Sequence, residues 1–140
     1  MGHLTVRANG AAFHAARTGK GPPLLLLHGW PEFWLTWEPV MTRLADRYTL
    51  LAPDLRGFGD SDKPEGPFGP DQHAGDMLAL LDTLDLGQIG VVGHDVGGAV
   101  MQPLARAAPA REPSPPSSGT RTSSGTAMSP MRDGRCTTGP

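Results

Sequence analysis

Ile89-Gly90-Val91-Val92-Gly93-His94-Asp95-Val96-Gly97-Gly98 is an apolar run that ends in a glycine-bracketed aspartate. Ile89 to Val92 read as a short buried strand, and Gly97, Gly98, Ala99 and Val100 can open a helix. Asp95 then stands on the turn between them, with Gly93 before it and Gly97 after it. So sharp a turn strains the backbone and tolerates only small neighbours. It lifts one side chain into the open beside the free amides of a helix N-terminus. A side chain held this way is placed to act as a nucleophile. In the serine version of the pattern, G-x-S-x-G, aspartate's position belongs to serine; a carboxylate attacks without first losing a proton to a base. The plainer alternative is that Asp95 only caps the helix, which leaves the glycine bracket unexplained.

Outward from this turn, apolar runs alternate with amphipathic ones. Leu4 to Arg7 and Ala12 to Ala16 suit a hairpin around Asn9-Gly10, a favoured two-residue turn. Pro23 to Leu27 is a continuous apolar run, as expected of a strand buried on both faces. Trp34, Trp37, Val40, Met41, Leu44 and Ala45 fall at helical spacing, with Pro39 early in that helix, where a missing amide costs least. Tyr48 to Ala52 reads as a strand and Asp71 to Leu84 as a helix. Strands alternating with helices predict an α/β fold with a mostly parallel sheet and flanking helices.

The chain of 140 residues has the length of one domain, and its formal net charge of −2 suggests neither a nucleic-acid nor a membrane partner. The single cysteine, Cys136, allows no internal disulfide. Met1 to Gly10 has no apolar core of signal-peptide length, and Leu24 to Leu27 is too short to span a bilayer. A soluble, cytoplasmic protein is expected. After Leu104 the pattern stops: Ala105 to Pro140 contain no Leu, Ile, Val, Phe, Trp or Tyr. This composition predicts a partial core over residues 1–106 and a low-complexity, disordered tail over 107–140. Because the break falls inside the helix after Asp95, a change of reading frame near residues 107–112, or a gene remnant, is expected.

Three segments follow the three buried strands: His28-Gly29-Trp30-Pro31, Asp54-Leu55-Arg56-Gly57-Phe58-Gly59-Asp60-Ser61 and Gly93-His94-Asp95-Val96-Gly97-Gly98. Parallel sheets bind ligands at the carboxyl ends of their strands. In this order and spacing the segments resemble the N-terminal half of the α/β-hydrolase superfamily. The aspartate and the HGWP segment resemble its epoxide hydrolase and dehalogenase branch. The resemblance implies that Asp95 is a nucleophile forming an alkyl-enzyme ester. It also implies that the backbone N–H groups of Trp30 and Val96 form the oxyanion hole, and that a histidine with an acidic partner activates water to hydrolyse the ester. Gly29, Pro31, Gly93 and Gly97, with His28 and His94, would support the loops; Pro31 resembles a proline that is often cis. Dehalogenases of this pattern place tryptophan or arginine just after the nucleophile, whereas this chain has Val96 and Ala99. An epoxide is therefore the expected small-molecule substrate. A haloalkane or haloacid dehalogenase, or a non-functional remnant, is the alternative, and nothing positive favours a binding module around Trp30 and Asp95.

The remaining polar residues read as structural. His3, His14 and His73 look like surface residues; Asp54, Arg56 and Asp60 brace a loop; Trp34 and Trp37 pack. Gly57 and Gly59 lack the third glycine of a dinucleotide fingerprint, and Ala99 stands where a Walker motif needs lysine. No cofactor is expected, and no His/Cys/Asp/Glu cluster shows metal-ligand spacing. In the implied fold the order is nucleophile, acid, histidine. Here no histidine follows His94, and the acids after Asp95 are Glu112 and Asp133, both in the low-complexity stretch. The single tyrosine, Tyr48, falls in a core strand, whereas the implied cap domain would bring tyrosines that protonate the opened ring. The polypeptide as written is expected to be inactive in turnover.

Overall fold

A computed structural model describes residues 1–108; the expectations for the chain beyond that point fall outside the described residues. The chain opens with the expected hairpin, longer than the apolar pattern indicated: β1 (Gly2–Ala8) and β2 (Ala11–Gly19) pair antiparallel across Asn9-Gly10. Both turn residues have positive φ, +48° and +75°, the requirement of a turn whose twist matches its strands.

β3 (Pro23–Leu27), β4 (Thr49–Pro53) and β5 (Gly90–Gly93) complete a five-stranded sheet of order β1-β2-β4-β3-β5. The three are mutually parallel around β3, while β2 joins β4 antiparallel. The sheet is therefore mixed, with its parallel part at the centre. The apolar runs of β3 and β4 are buried on both faces, as their continuity predicts. Leu25, Leu27 and Leu51 enter one core with Phe13, Met77, Leu80 and Val100. Leu26, Leu50 and Ala52 enter a second, opposite core with Met41, Trp34 and Trp37. Burying each such leucine contributes roughly 1.5–3 kcal/mol. Both tryptophans pack, as expected.

The segment read as one helix over Trp34 to Ala45 is instead a 3-10 turn, Trp34–Trp37, followed by the helix α1, Glu38–Leu44. The amide of Trp34 is committed to the Asp54 carboxylate at 2.7 Å, and Pro39 lies in the first turn of α1, where it offers no amide. The helix α2 (Pro70–Thr83) lays His73, Ala74, Asp76, Met77, Leu80 and Leu81 on one face against the sheet. Its Asp76 takes Arg56 in two bonds of 2.7 Å, and Asn9 bonds the same carboxylate at 2.8 Å. The hairpin, the loop after β4 and α2 are thereby tied at one buried point.

The helix α3 (Val96–Ala107) follows β5 directly. β5 is the edge strand of the described sheet, although its composition suits a central position. Beside it an apolar cavity of about 300 Å³ opens between α2 and α3, lined by Leu78, Leu81, Ile89, Val91, Met101 and Leu104. Among the described residues no helix is long and apolar enough to cross a membrane.

Candidate functional site

The loops after β3, β4 and β5 emerge at the same end of the sheet, because these strands are parallel. Asp95 sits between β5 and α3 with φ +52° and ψ −120°, a conformation that non-glycine residues adopt only when their surroundings over-determine it. Those surroundings are backbone. A Cβ on Gly97 would lie 2.2 Å from the Leu27 carbonyl oxygen, and one on Gly93 would lie 2.7 Å from the Gly97 backbone. The Gly97 amide in turn donates to the His28 carbonyl at 3.0 Å. The start of α3 is thus pressed onto the end of β3 with no space for a side chain.

Asp95 is exposed and does not cap its own helix with its side chain. The carboxylate instead reaches across to the loop after β3, where the Trp30 amide donates to Oδ2 at 2.8 Å. The amides of Trp30 and then Val96 hold its pKa below the ordinary aspartate value, because hydrogen bonds to the charged form favour it. The amides of Trp30 and Val96 both bond this carboxylate. Gly29 is needed here too, since a Cβ on it would meet the Asp95 Cβ at 2.8 Å. The Trp30–Pro31 bond is cis, and the Trp30 side chain is 70 % exposed. The carboxylate lies at the open end of the sheet, and the apolar cavity beside β5 lies elsewhere, with no site residue in its lining.

His28 is buried and neutral. Nδ1 donates to the Gly29 carbonyl at 2.8 Å, and Nε2 accepts the Leu55 amide at 3.0 Å. Desolvation lowers its pKa, more than the Gly29 carbonyl and nearby acids raise it. Both ring nitrogens thus bond loop backbone. His94 does so only indirectly: its side chain pairs with Glu32 at 3.0 Å, and Glu32 accepts the Gly29 amide at 3.2 Å. Glu32 was not singled out from the sequence, although its place directly after His28-Gly29-Trp30-Pro31 is the signal that could have found it.

The reading of Asp54 and Arg56 as braces holds: Asp54 Oδ2 accepts the Asp60 amide at 3.0 Å, and Arg56 reaches the Asn9 carbonyl at 3.0 Å. His3 is exposed, as expected, but His14 and His73 are buried, contrary to their reading as surface residues. His14 is drawn in by Asp54 at 2.8 Å, and His73 lies on the core face of α2 beside Phe58 and Phe68.

Residues 22–120 match the family model for the alpha/beta hydrolase fold. The soluble epoxide hydrolase of Corynebacterium sp. (strain C12) is 45 % identical over 98 residues, covering 70 % of this chain and 34 % of that protein. Epoxide hydrolase 2 of Siraitia grosvenorii is likewise 45 % identical over 98 residues, covering 68 % of this chain and 31 % of its own length. A crystal structure of an epoxide hydrolase from Vigna radiata superposes with a TM-score of 0.75 at 40 % identity, over 79 % of this chain and 37 % of that one. The chain thus spans about a third of the length of the curated relatives it matches. It belongs to the alpha/beta hydrolase fold family and is similar to the N-terminal part of its epoxide hydrolases.

Proposed function

We propose that this chain carries the nucleophilic half of an epoxide hydrolase, with Asp95 as the attacking group. The observation that carries the reading is the asymmetry of the carboxylate. Oδ2 is held by the Trp30 amide at 2.8 Å, whereas Oδ1 accepts no hydrogen bond of this geometry among the described residues. The free oxygen attacks an epoxide carbon; the carbon–oxygen bond of the ring breaks, and its electron pair leaves on the ring oxygen, which takes up a proton. Oδ2 becomes the carbonyl oxygen of the resulting ester. When water adds to the ester carbonyl carbon, negative charge develops on that oxygen, already facing the amides of Trp30 and Val96. Collapse of the adduct expels the diol oxygen and restores the carboxylate.

Hydrolysis of the ester needs a general base, and no histidine follows His94 in the sequence. Loss of the base from such a unit typically costs several orders of magnitude in rate. Of the two half-reactions, these residues are assigned the first, ester formation on Asp95. Residues 1–106 form the unit that performs it. On composition the unit ends near residue 106, although the family match runs on to residue 120; a changed reading frame near 107–112, or a gene remnant, is the reading offered for the break. The nucleotide sequence downstream of codon 106 tests that point: an alternative frame should encode apolar strands, a late acid and a late histidine.

Incubation with a small aryl epoxide, followed by intact and peptide mass spectrometry, tests the chemistry. One adduct of the epoxide's mass should accumulate on Asp95, be released by hydroxylamine, and be absent in Asp95→Asn. An unmodified Asp95, or steady-state diol production abolished by Asp95→Ala, would overturn the assignment.

A further inference from the structure

Away from Asp95, the structure gathers four residues that the proposed chemistry does not use: His3, His14, Asp54 and Asp60. His3 pairs with Ala16 and Thr5 pairs with His14, so the two histidines are diagonal neighbours on one face of the hairpin. Their rings stack with centroids 5.2 Å apart, and His3 Nδ1 lies 3.0 Å from His14 Nε2. On the other side of the His14 ring, Nδ1 lies 2.8 Å from Oδ2 of Asp54. Asp54 is fully buried and also accepts the amides of Trp34 and Asp60. With both amides donating to it, this carboxylate serves as the acceptor and His14 Nδ1 as the donor in their contact. The proton of His14 is thereby fixed on Nδ1, and the lone pair of Nε2 points at His3.

We propose that His3 Nδ1 and His14 Nε2 bind a divalent transition-metal ion of the zinc or nickel type. A carboxylate that fixes the far nitrogen of a ligating histidine is the usual support of such sites, and imidazole nitrogen suits these metals. Tetrahedral bonds of about 2.0–2.1 Å place two ligand nitrogens about 3.3 Å apart, so the rings need part by only a few tenths of an ångström from their 3.0 Å separation. The proton that His3 Nδ1 holds in the free pair moves to the other nitrogen of this exposed ring. Asp60 is exposed and offers a carboxylate oxygen within 4.8 Å of the ligand atoms of His14 and Asp54. It supplies negative charge beside the pair, and water completes the coordination. Positions 3 and 14 share no ligand spacing in the sequence; hairpin register brings them together.

The Trp34 ring packs edge-on to His3, with centroids 4.8 Å apart, so it reports on the site at low protein concentration. Titration of the 140-residue chain with Ni²⁺ should quench tryptophan fluorescence saturably with one-to-one stoichiometry, and Zn²⁺ should compete and reverse the quench. His3→Ala lies at an exposed position and should weaken binding at least about tenfold while leaving the melting temperature unchanged. Cys136→Ser should bind as the parent does. In a ¹⁵N-labelled parent, Zn²⁺ should shift His14 Nε2 and His3 Nδ1 while His14 Nδ1 stays protonated. The site is refuted by unsaturable quenching, by undiminished binding in His3→Ala, by loss of binding in Cys136→Ser, or by a zinc shift on His14 Nδ1.

Discussion

The amide of Trp30 donates to Asp95 Oδ2 at 2.8 Å across 65 positions of sequence. This bond joins the loop after β3 to the turn after β5, and it is charge-assisted. It keeps the carboxylate ionised further into acid than an ordinary aspartate, whose pKa is about 3.9.

The first prediction concerns that titration. With its pKa lowered by the Trp30 and Val96 amides, Asp95 contributes stability above the ordinary aspartate value and loses it as pH falls through its own, lower pKa. The ¹³C carboxyl resonance of Asp95, assigned against Asp95→Asn, should titrate below the ordinary aspartate value. A midpoint at or above that value would contradict the geometry.

A second prediction separates two adjacent glycines. Gly97→Ala puts a Cβ 2.2 Å from the Leu27 carbonyl oxygen, a clash between two backbones that should cost at least about 3 kcal/mol. Gly98→Ala meets nothing nearer than 3.9 Å and should be neutral or stabilise the helix by up to about 1 kcal/mol. Urea unfolding of the two variants checks this, and similar midpoints would refute it.

Histidine burial predicts the pH dependence of stability. His28 and His73 both have pKa values lowered chiefly by desolvation. The unfolded chain therefore takes up protons that the folded one refuses. Stability is complete above the unfolded histidine value of about 6.5 and declines as pH falls from there toward the folded values. Urea midpoints should drop between pH 8 and pH 5.5, and less so in His73→Gln. A flat profile over that range would show that neither ring stays neutral.

Association should occur through β5. The strand ends the described sheet, and Val92 on it is 40 % exposed; an open apolar edge templates pairing with other chains. Val92→Lys should raise the monomer fraction in sedimentation at a fixed concentration. An unchanged distribution would mean that the edge does not drive association.

Much of this architecture is legible in the residues, for local reasons. Asn9-Gly10 dictates its turn, the leucine runs of β3 and β4 dictate double-sided burial, and Gly93 and Gly97 around Asp95 dictate the sharp turn. What escaped depends on distant partners. His14 looks like a surface residue until Asp54, 40 positions away, draws it inward. The start of the helix over Trp34 is altered by the same carboxylate, which claims the Trp34 amide. Glu32 and His94 acquire a role only when the loops after β3 and β5 meet. Periodicity reports burial along one element, and it is silent on which element supplies the counterpart.

The glycines at 29, 93 and 97 divide the neighbourhood of Asp95 into positions that cannot vary and positions that can. The carboxylate is held by main chain, through the Trp30 amide and the close approach of Gly97 to Leu27. The exposed Trp30 side chain projects from that frame without forming it, whereas His94 braces it through Glu32. A saturation library confined to residue 30 would therefore resculpt the approach to the carboxylate while leaving its position untouched. Diversity placed on the three glycines would mostly return unfolded protein.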